Sequence, residues 1–157
     1  LLVVRPARSI EDVEKLVELW VKLMDDSEAS DLKFILDDDA RRMWVEYMVG
    51  AYIEDPESIL VAEYNGILAG FIASRSYSFP FKLREKDRYA VITDLYVVPE
   101  YRGKGIGRRL LEECLSRLKS RGYSRVRITV WVGNRRAIKL YSRSGFKPRF
   151  IVMEKIL

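Results

Sequence analysis

Apolar positions along the 157-residue chain change period several times, and the changes mark its elements. Leu1–Arg5 reads as a short strand that ends at Pro6. Ser9 with Asp12 three residues on has the form of a capping box. Val13, Leu16, Val17, Trp20, Leu23 and Met24 then repeat at helical spacing, predicting one helix. After a polar break over Asp25–Asp31, Asp37, Asp38 and Asp39 suit the start of a second helix. That helix carries Met43, Trp44, Tyr47, Met48, Ala51 and Tyr52 on one side and stops before Pro56. Ser58–Tyr64 and Ile67–Tyr77 alternate as strands around Asn65-Gly66, the preferred dipeptide of a type I′ hairpin turn. A charged loop, Lys82–Arg88, leads to a β-rich run at Ala90–Val98 and a turn at Pro99–Lys104.

A long helix follows from Gly105 to Arg121, with Ile106, Leu110, Leu111, Cys114, Leu115 and Leu118 as its apolar face and Gly122 as its C-terminal cap. Arg125–Val132 alternates as a strand, and Asn134–Ser144 is a short helix ended by Gly145. Phe146–Lys147 and Ile151–Ile156 read as closing strands around Pro148. The order β-α-α-β-β-β-α-β-α-β-β predicts a single α/β (α+β) domain over residues 1–157. Its sheet is expected to be twisted, mixed and largely antiparallel, with six to seven strands flanked by four helices.

Composition narrows the chemistry. The chain has no histidine, so imidazole catalysis and His-ligated metal sites are excluded, and no metal is expected. Its single cysteine, Cys114, forbids an internal disulfide and fits a reducing, cytoplasmic setting. No apolar run reaches the roughly 20 residues of a membrane span, and the apolar N-terminus is too short for a signal peptide. The net charge of +5 conceals a division. From Pro99 onward lie 16 of the 28 Lys and Arg but only 4 of the 23 Asp and Glu, a net of +12 against −7 before it. Such a half can hold a polyanion, or merely form a differently solvated face.

The densest signal is Leu95-Tyr96-Val97-Val98-Pro99-Glu100-Tyr101-Arg102-Gly103-Lys104-Gly105-Ile106-Gly107. It sets a glycine-rich turn between a strand and a long helix. Glycine permits positive φ and close approach of a ligand to the backbone. The free N–H groups and dipole of the helix start then suit a pyrophosphate, with Arg102, Lys104, Arg108 and Arg109 alongside. A P-loop would need Gly-Lys-Ser/Thr, and a Rossmann turn would need G-x-G-x-x-G; neither is present. A purely structural turn gives no reason for three glycines beside four cations.

At these residues the sequence resembles the GNAT superfamily of N-acetyltransferases. Arg102–Gly107 matches that family's Gln/Arg-x-x-Gly-x-Gly/Ala signature as Arg-Gly-Lys-Gly-Ile-Gly. The likeness extends from Val4-Arg5-Pro6-Ala7 to Asn134, Ala137, Leu140-Tyr141 and Gly145-Phe146. It implies acetyl-CoA as co-substrate and an amine as acceptor. The backbone from Gly103 through Gly107 to Arg108 would bind the CoA pyrophosphate, and the bulged strand at Leu95, Tyr96 and Val97 would pair with the pantetheine. Asn134 would contact the pantetheine near Ala137, and Tyr141 would stand at the sulfur.

Asn134 and Tyr141 lie seven residues apart and so share a helix face, although a lone helical tyrosine is more often core. The Tyr141 phenol can protonate the leaving thiolate, and a backbone N–H near Tyr96 can stabilise the oxyanion. Asp94, the only carboxylate between Ala90 and Pro99, is the candidate base; its alternative is a strand-end carboxylate that orients the loop. Cys114 reads as core, which favours direct transfer over an acyl-enzyme. The acceptor is not legible. Asp25, Asp26, Glu28, Asp31 and Asp37–Asp39 could attract a cationic amine, or the last three could only cap a helix. Trp44, Tyr47, Tyr52, Tyr77, Phe79 and Phe81 could line a pocket or lie in the core. A catalytically idle CoA-binding module is the alternative class. Nucleic-acid binding lacks a helix-turn-helix, zinc ligands or an RNA-binding motif in its support. A homodimer is left open.

Overall fold

The computed structural model describes residues 1–26, 34–80 and 87–157. Its sheet has five strands in the order β1 (Leu2–Pro6), β2 (Ile59–Tyr64), β3 (Ile67–Tyr77), β4 (Tyr89–Val97) and β5 (Arg125–Ile128). Neighbours are antiparallel except β4 and β5, which run parallel. The β2–β3 turn takes φ of 51° at Asn65 and 80° at Gly66, the two positive values that a type I′ hairpin requires.

Alternation along the strands splits the core into two layers. Leu60, Ala62 and Ile72 face α4 (Ile106–Ser120) and α5 (Arg135–Arg143), where Leu110, Leu111, Cys114, Leu118 and Tyr141 are buried. Ile59, Val61 and Phe71 face α1 (Ile10–Glu14), α2 (Val17–Asp25) and α3 (Asp38–Glu54), meeting Val13, Leu16, Trp44 and Met48. Trp44 stacks on Trp20 at 5.2 Å and meets the Phe71 ring edge-on at 6.0 Å, so these aromatics are core.

Three expectations need correction. The single first helix is two, because the Leu16 N–H bonds back only three residues, to the Val13 carbonyl at 3.0 Å. That tighter turn carries both Val13 and Leu16 fully into the core, and it makes five α-helices among the described residues instead of four. The strand expected over Arg125–Val132 stops at Ile128, because β4 has by then veered away and offers no partner. The closing strands at Phe146–Lys147 and Ile151–Ile156 are not formed, and among the described residues the sheet has five strands rather than six to seven. The remaining helix boundaries follow their caps. Ser9 Oγ accepts from Asp12 N–H at 3.2 Å, Asp37 from Ala40 N–H at 2.9 Å, and Gly122 and Gly145 end α4 and α5 at φ of 84° and 91°.

Gly70 fixes how closely β3 and β4 approach. A Cβ there would fall 2.4 Å from the Tyr96 carbonyl oxygen and 3.2 Å from Val97 Cα. Both obstacles are backbone, so the strands must part to admit a methyl. Gly70→Ala is expected to cost about 2 kcal/mol, in the usual range for over-packing, as read by urea denaturation.

Candidate active site

The site is made by two strands that separate. β4 and β5 are paired from Tyr89↔Arg125 to Ile92↔Ile128, and beyond that β4 continues alone to Val97. At the same point its register against β3 slips. Ala73 faces Asp94 but Ser74 faces Ile92, leaving Thr93 as an extra, bulged residue. The bulge therefore lies just before Leu95–Val97 rather than within it. A bulge sharpens local twist, which accounts for the divergence from β5.

The unpaired edge has a defined polarity. Val98 N–H donates to the Ala69 carbonyl at 2.9 Å, so Val98 and Tyr96 belong to the hydrogen-bonded pairs with β3. The backbone groups of Leu95 and Val97 consequently point the other way, into the gap left by β5. The available N–H groups are those of Leu95 and Val97, not that of Tyr96.

The gap opens against the N-terminus of α4. Gly103 and Gly105 hold φ of 77° and 78°, values a side chain disfavours, while Gly107 lies inside the helix at ordinary φ. Gly107 has a different task. A Cβ there would sit 3.6 Å from Val97 Cγ2 and 3.7 Å from Leu140 Cδ2, so β4, α4 and α5 meet at this residue. Three other helix starts are capped by a side chain, α1 by Ser9, α3 by Asp37 and α5 by Asn134, while α2, which runs on from the turn that ends α1, begins at Leu16 without one but has Glu18 in its first turn. The α4 start has no side-chain cap and no acidic residue in its first turn; it carries Arg108 and Arg109. Cations there oppose the helix dipole, and the first N–H groups lack partners. An anion seated on the helix end would meet both deficits.

The surrounding cations are placed less simply than their spacing suggests. Arg102 donates through Nε to the Val97 carbonyl at 2.8 Å and through a terminal nitrogen to Asp26 at 2.8 Å, bracing the loop against β4 and the end of α2. Asp26 also accepts from the Tyr96 hydroxyl at 2.9 Å. Burial and this bond to Asp26 push the Tyr96 phenol up to about 12. No sequence pattern signals Asp26 in this role, since its partners lie 70 and 76 residues away. Lys104 Nζ lies 5.6 Å from the Tyr64 ring, and Arg108 and Arg109 pair with Glu112 and Glu113 at 2.7 and 3.9 Å.

Tyr141 is 8% exposed in the layer that holds Leu95 and Val97, and its ring lies 5.9 Å from Phe146. Burial pushes its phenol up to about 12. Among the described residues its hydroxyl has no hydrogen-bond partner. Asn134 is the N-cap of α5, not an interior helical residue, and its Oδ1 accepts from Ala137 N–H at 3.1 Å. Only its amide N–H₂ is left for a ligand. Asp94 lies on the Tyr96 face of β4, opposite Tyr141, and burial raises its carboxyl above the ordinary value despite a hydrogen bond to Thr93 and the field of Arg75.

Burial also pushes the Cys114 thiol up to about 11 on the inner face of α4, which denies it thiolate character at neutral pH. Of the acidic candidates, Asp37 caps α3 and Asp39 pairs with Arg42 at 2.9 Å, while Glu28 and Asp31 lie outside the described residues. Among the candidate pocket aromatics, Phe81 also lies outside them, Tyr47 underlies Arg75, and Tyr77 and Phe79 pack on each other.

A strand that parts from its neighbour beside an uncapped, glycine-opened helix start is the arrangement that the sequence resemblance requires, and the acetyltransferase (GNAT) family matches residues 18–146. The chain belongs to the GNAT family. An uncharacterised N-acetyltransferase of Methanocaldococcus jannaschii is 35% identical over 98 residues, which is 62% of this chain and 42% of that protein. The chain thus spans less than half the length of that relative. A GCN5-related N-acetyltransferase from Ralstonia eutropha superposes with a TM-score of 0.79 at 20% identity, covering 99% of both chains. A predicted acetyltransferase from Clostridium acetobutylicum, solved with acetyl-CoA, superposes at 0.73 and 21% identity over 99% of this chain and 96% of its own. These two likenesses extend the GNAT fold to the whole chain.

Among the described residues no helix is long and apolar enough to cross a membrane.

Proposed function

We propose that this protein transfers an acetyl group from acetyl-CoA to a primary amine by direct attack in a ternary complex. The observation that carries the reading is the uncapped, cationic start of α4 facing the gap between β4 and β5. The CoA diphosphate accepts from the amides around Gly103–Arg108, and the pantetheine arm takes the place of β5 along Leu95 and Val97. The Asn134 amide and the α5 face that carries Ala137 flank that arm. The acetyl-CoA in the Clostridium acetobutylicum structure makes it the natural first co-substrate to test. A cytoplasmic setting follows from this reading, because acetyl-CoA must be at hand.

The two faces of β4 divide the chemistry. The acceptor nitrogen approaches from the side of α1–α3, where Asp94 takes a proton directly or through water. The thioester lies in the gap, and Tyr141 stands on the α4–α5 side. Attack forms the N–C bond and places negative charge on the carbonyl oxygen, which the Leu95 or Val97 N–H can bind. Collapse breaks the C–S bond and gives the electron pair to sulfur. The proton that sulfur takes from Tyr141 is balanced by the one lost from nitrogen.

Release of CoA thiol from acetyl-CoA in the presence of polyamines, lysine peptides, basic N-terminal peptides and aminoglycosides tests the reading. Amine-dependent release supports it. CoA binding with no release across the panel would support an idle module instead.

Asp94→Asn separates the base from its alternative and carries a stability signature. A carboxyl whose folded pKa is raised stabilises the fold below its unfolded value, near 3.8, and loses that contribution as pH rises through the folded value. The amide should therefore raise Tm at pH 7 relative to wild type, and the difference should vanish below about pH 3.8. Turnover should fall roughly tenfold, less than the hundredfold or more usual for acid–base groups, because an amine can also arrive neutral. Unchanged kcat would return Asp94 to a loop-orienting role.

A further inference from the structure

We propose that Arg75 is a specificity-determining residue that takes a carboxylate of the acceptor, so that the acceptor class is an amine that also carries a carboxylate. The inference rests on the acetyl-transfer reading above and narrows its acceptor. Half-buried arginines elsewhere in the fold are spent on acidic side chains. Arg5, Arg41, Arg102, Arg117 and Arg121 each lie 2.9 Å or less from a carboxylate oxygen. Arg75 is half-buried as well, yet it pairs with no carboxylate among the described residues.

Arg75 is nonetheless held in place. One terminal nitrogen donates to the Tyr47 carbonyl at 2.8 Å, and the guanidinium carbon lies 3.7 Å from the centre of the Tyr47 ring. The remaining N–H groups of the guanidinium have no acceptor among the described residues. A planar fork, stacked on a ring and short of acceptors, matches the two oxygens of a carboxylate. Tyr47 is 46% exposed, so this stack is open to a ligand.

The strand register sets that fork beside the proposed base. Ala73 faces Asp94 across β3 and β4, and Arg75 is two residues further along the same face of β3. Arg75 and Asp94 are therefore diagonal neighbours, with Cβ atoms about 7 Å apart, a span that long side chains cover. The Arg75 charge is felt at Asp94, where it opposes the rise caused by burial. In the proposed reaction the acceptor nitrogen approaches from this face. A zwitterion fits it end to end, with its nitrogen at Asp94 and its carboxylate on Arg75. A simple polyamine would instead bring its second cation toward Arg75, and repulsion disfavours it.

Matched pairs that differ only in the carboxylate test the proposal: lysine against cadaverine, phenylalanine against phenethylamine, and β-alanine against ethylamine. O-phosphoethanolamine serves as the phosphate-bearing comparison. Thiol release from acetyl-CoA gives kcat/KM for each amine, and calorimetry gives its Kd for the CoA-bound protein. Wild type is expected to favour at least one acid over its partner by roughly tenfold or more, chiefly through KM. Arg75→Gln should bring that ratio to about one, and Arg75→Lys should leave it intermediate, because lysine keeps the charge and loses the fork. An arginine that only pins α3 to β3 would lower both members of a pair alike, together with Tm, and leave the ratio where it was. The proposal is overturned by a wild type that prefers no acid in any pair, or by a preference undiminished in Arg75→Gln. Faster turnover of O-phosphoethanolamine than of every acid would also overturn it. Should the acids bind more tightly than their partners through Arg75 while no amine releases thiol, the carboxylate site stands and the acetyl-transfer reading falls.

Discussion

Tyr141→Phe is expected to lower kcat about a hundredfold while leaving the Kd for CoA within about twofold, measured by thiol release and calorimetry. The substitution removes one hydroxyl from a residue that is 8% exposed and keeps the ring that packs on Phe146. That hydroxyl makes no hydrogen bond to the described residues and is not one of the buried unpartnered atoms, so its loss should leave Tm unchanged. A packing role would give the opposite pattern, with affinity and stability falling together. The phenol at about 12 also constrains the mechanism. It stays protonated throughout the physiological range, yet it is a weaker acid than an ordinary thiol by some three pKa units. Tyr141 therefore cannot simply hand its proton to the departing sulfur. In the proposed reaction it would donate a hydrogen bond as charge develops there, with full transfer only as nitrogen sheds its own proton. Wild-type kcat should accordingly show no alkaline limb below about pH 10 that disappears in Tyr141→Phe.

The pattern of charges and caps explains why the geometry of the proposed cofactor side was legible in the sequence and an acceptor side was not. A glycine turn between a strand and a helix is local, and Gly103 and Gly105 adopt the positive φ that their spacing suggests. Tyr141 lies on the short helix that Asn134 caps, so their relation is local. Other features depend on pairings between distant segments. The position of the bulge follows from the β3 register, which no pattern in Ala90–Val98 reveals. Asn134 spends its carbonyl oxygen on the α5 cap, an outcome its sequence position shares with many helix starts. The cations overstate their case. Arg102 is engaged by Val97 and Asp26, and the first-turn arginines are partly answered by Glu112 and Glu113, so spacing alone counted charge that the fold has already committed. Arg125–Val132 and Ile151–Ile156 alternate as strands should, but alternation states only that a segment suits a sheet. It does not supply the neighbour, and among the described residues the sheet has none to give them.

Gly105→Val should raise the Kd for CoA about a hundredfold, whereas Gly107→Ala should change it by less than about threefold. The two residues lie two positions apart in the same motif, and their tasks differ. Gly105 sits at φ of 78° with open space where a Cβ would project, so the obstacle is backbone conformation and not crowding. A β-branched residue there is a severe outlier, and the loop must move to relieve it, turning the α4 amides away from the anion. Losing a charge-assisted set of hydrogen bonds worth about 2–3 kcal/mol corresponds to that hundredfold. Gly107 has helical φ, and a methyl meets Val97 and Leu140 at ordinary contact distance; alanine also favours the helix by about 1 kcal/mol over glycine. Pyrophosphate alone should raise the wild-type Tm, because it answers the uncapped helix start, and this shift should be lost in Gly105→Val but kept in Gly107→Ala. If the two substitutions weakened CoA equally, the glycines would act by clearance for the ligand. If neither did, the diphosphate would rest elsewhere, and the cleft between β4 and β5 would lose its assigned occupant.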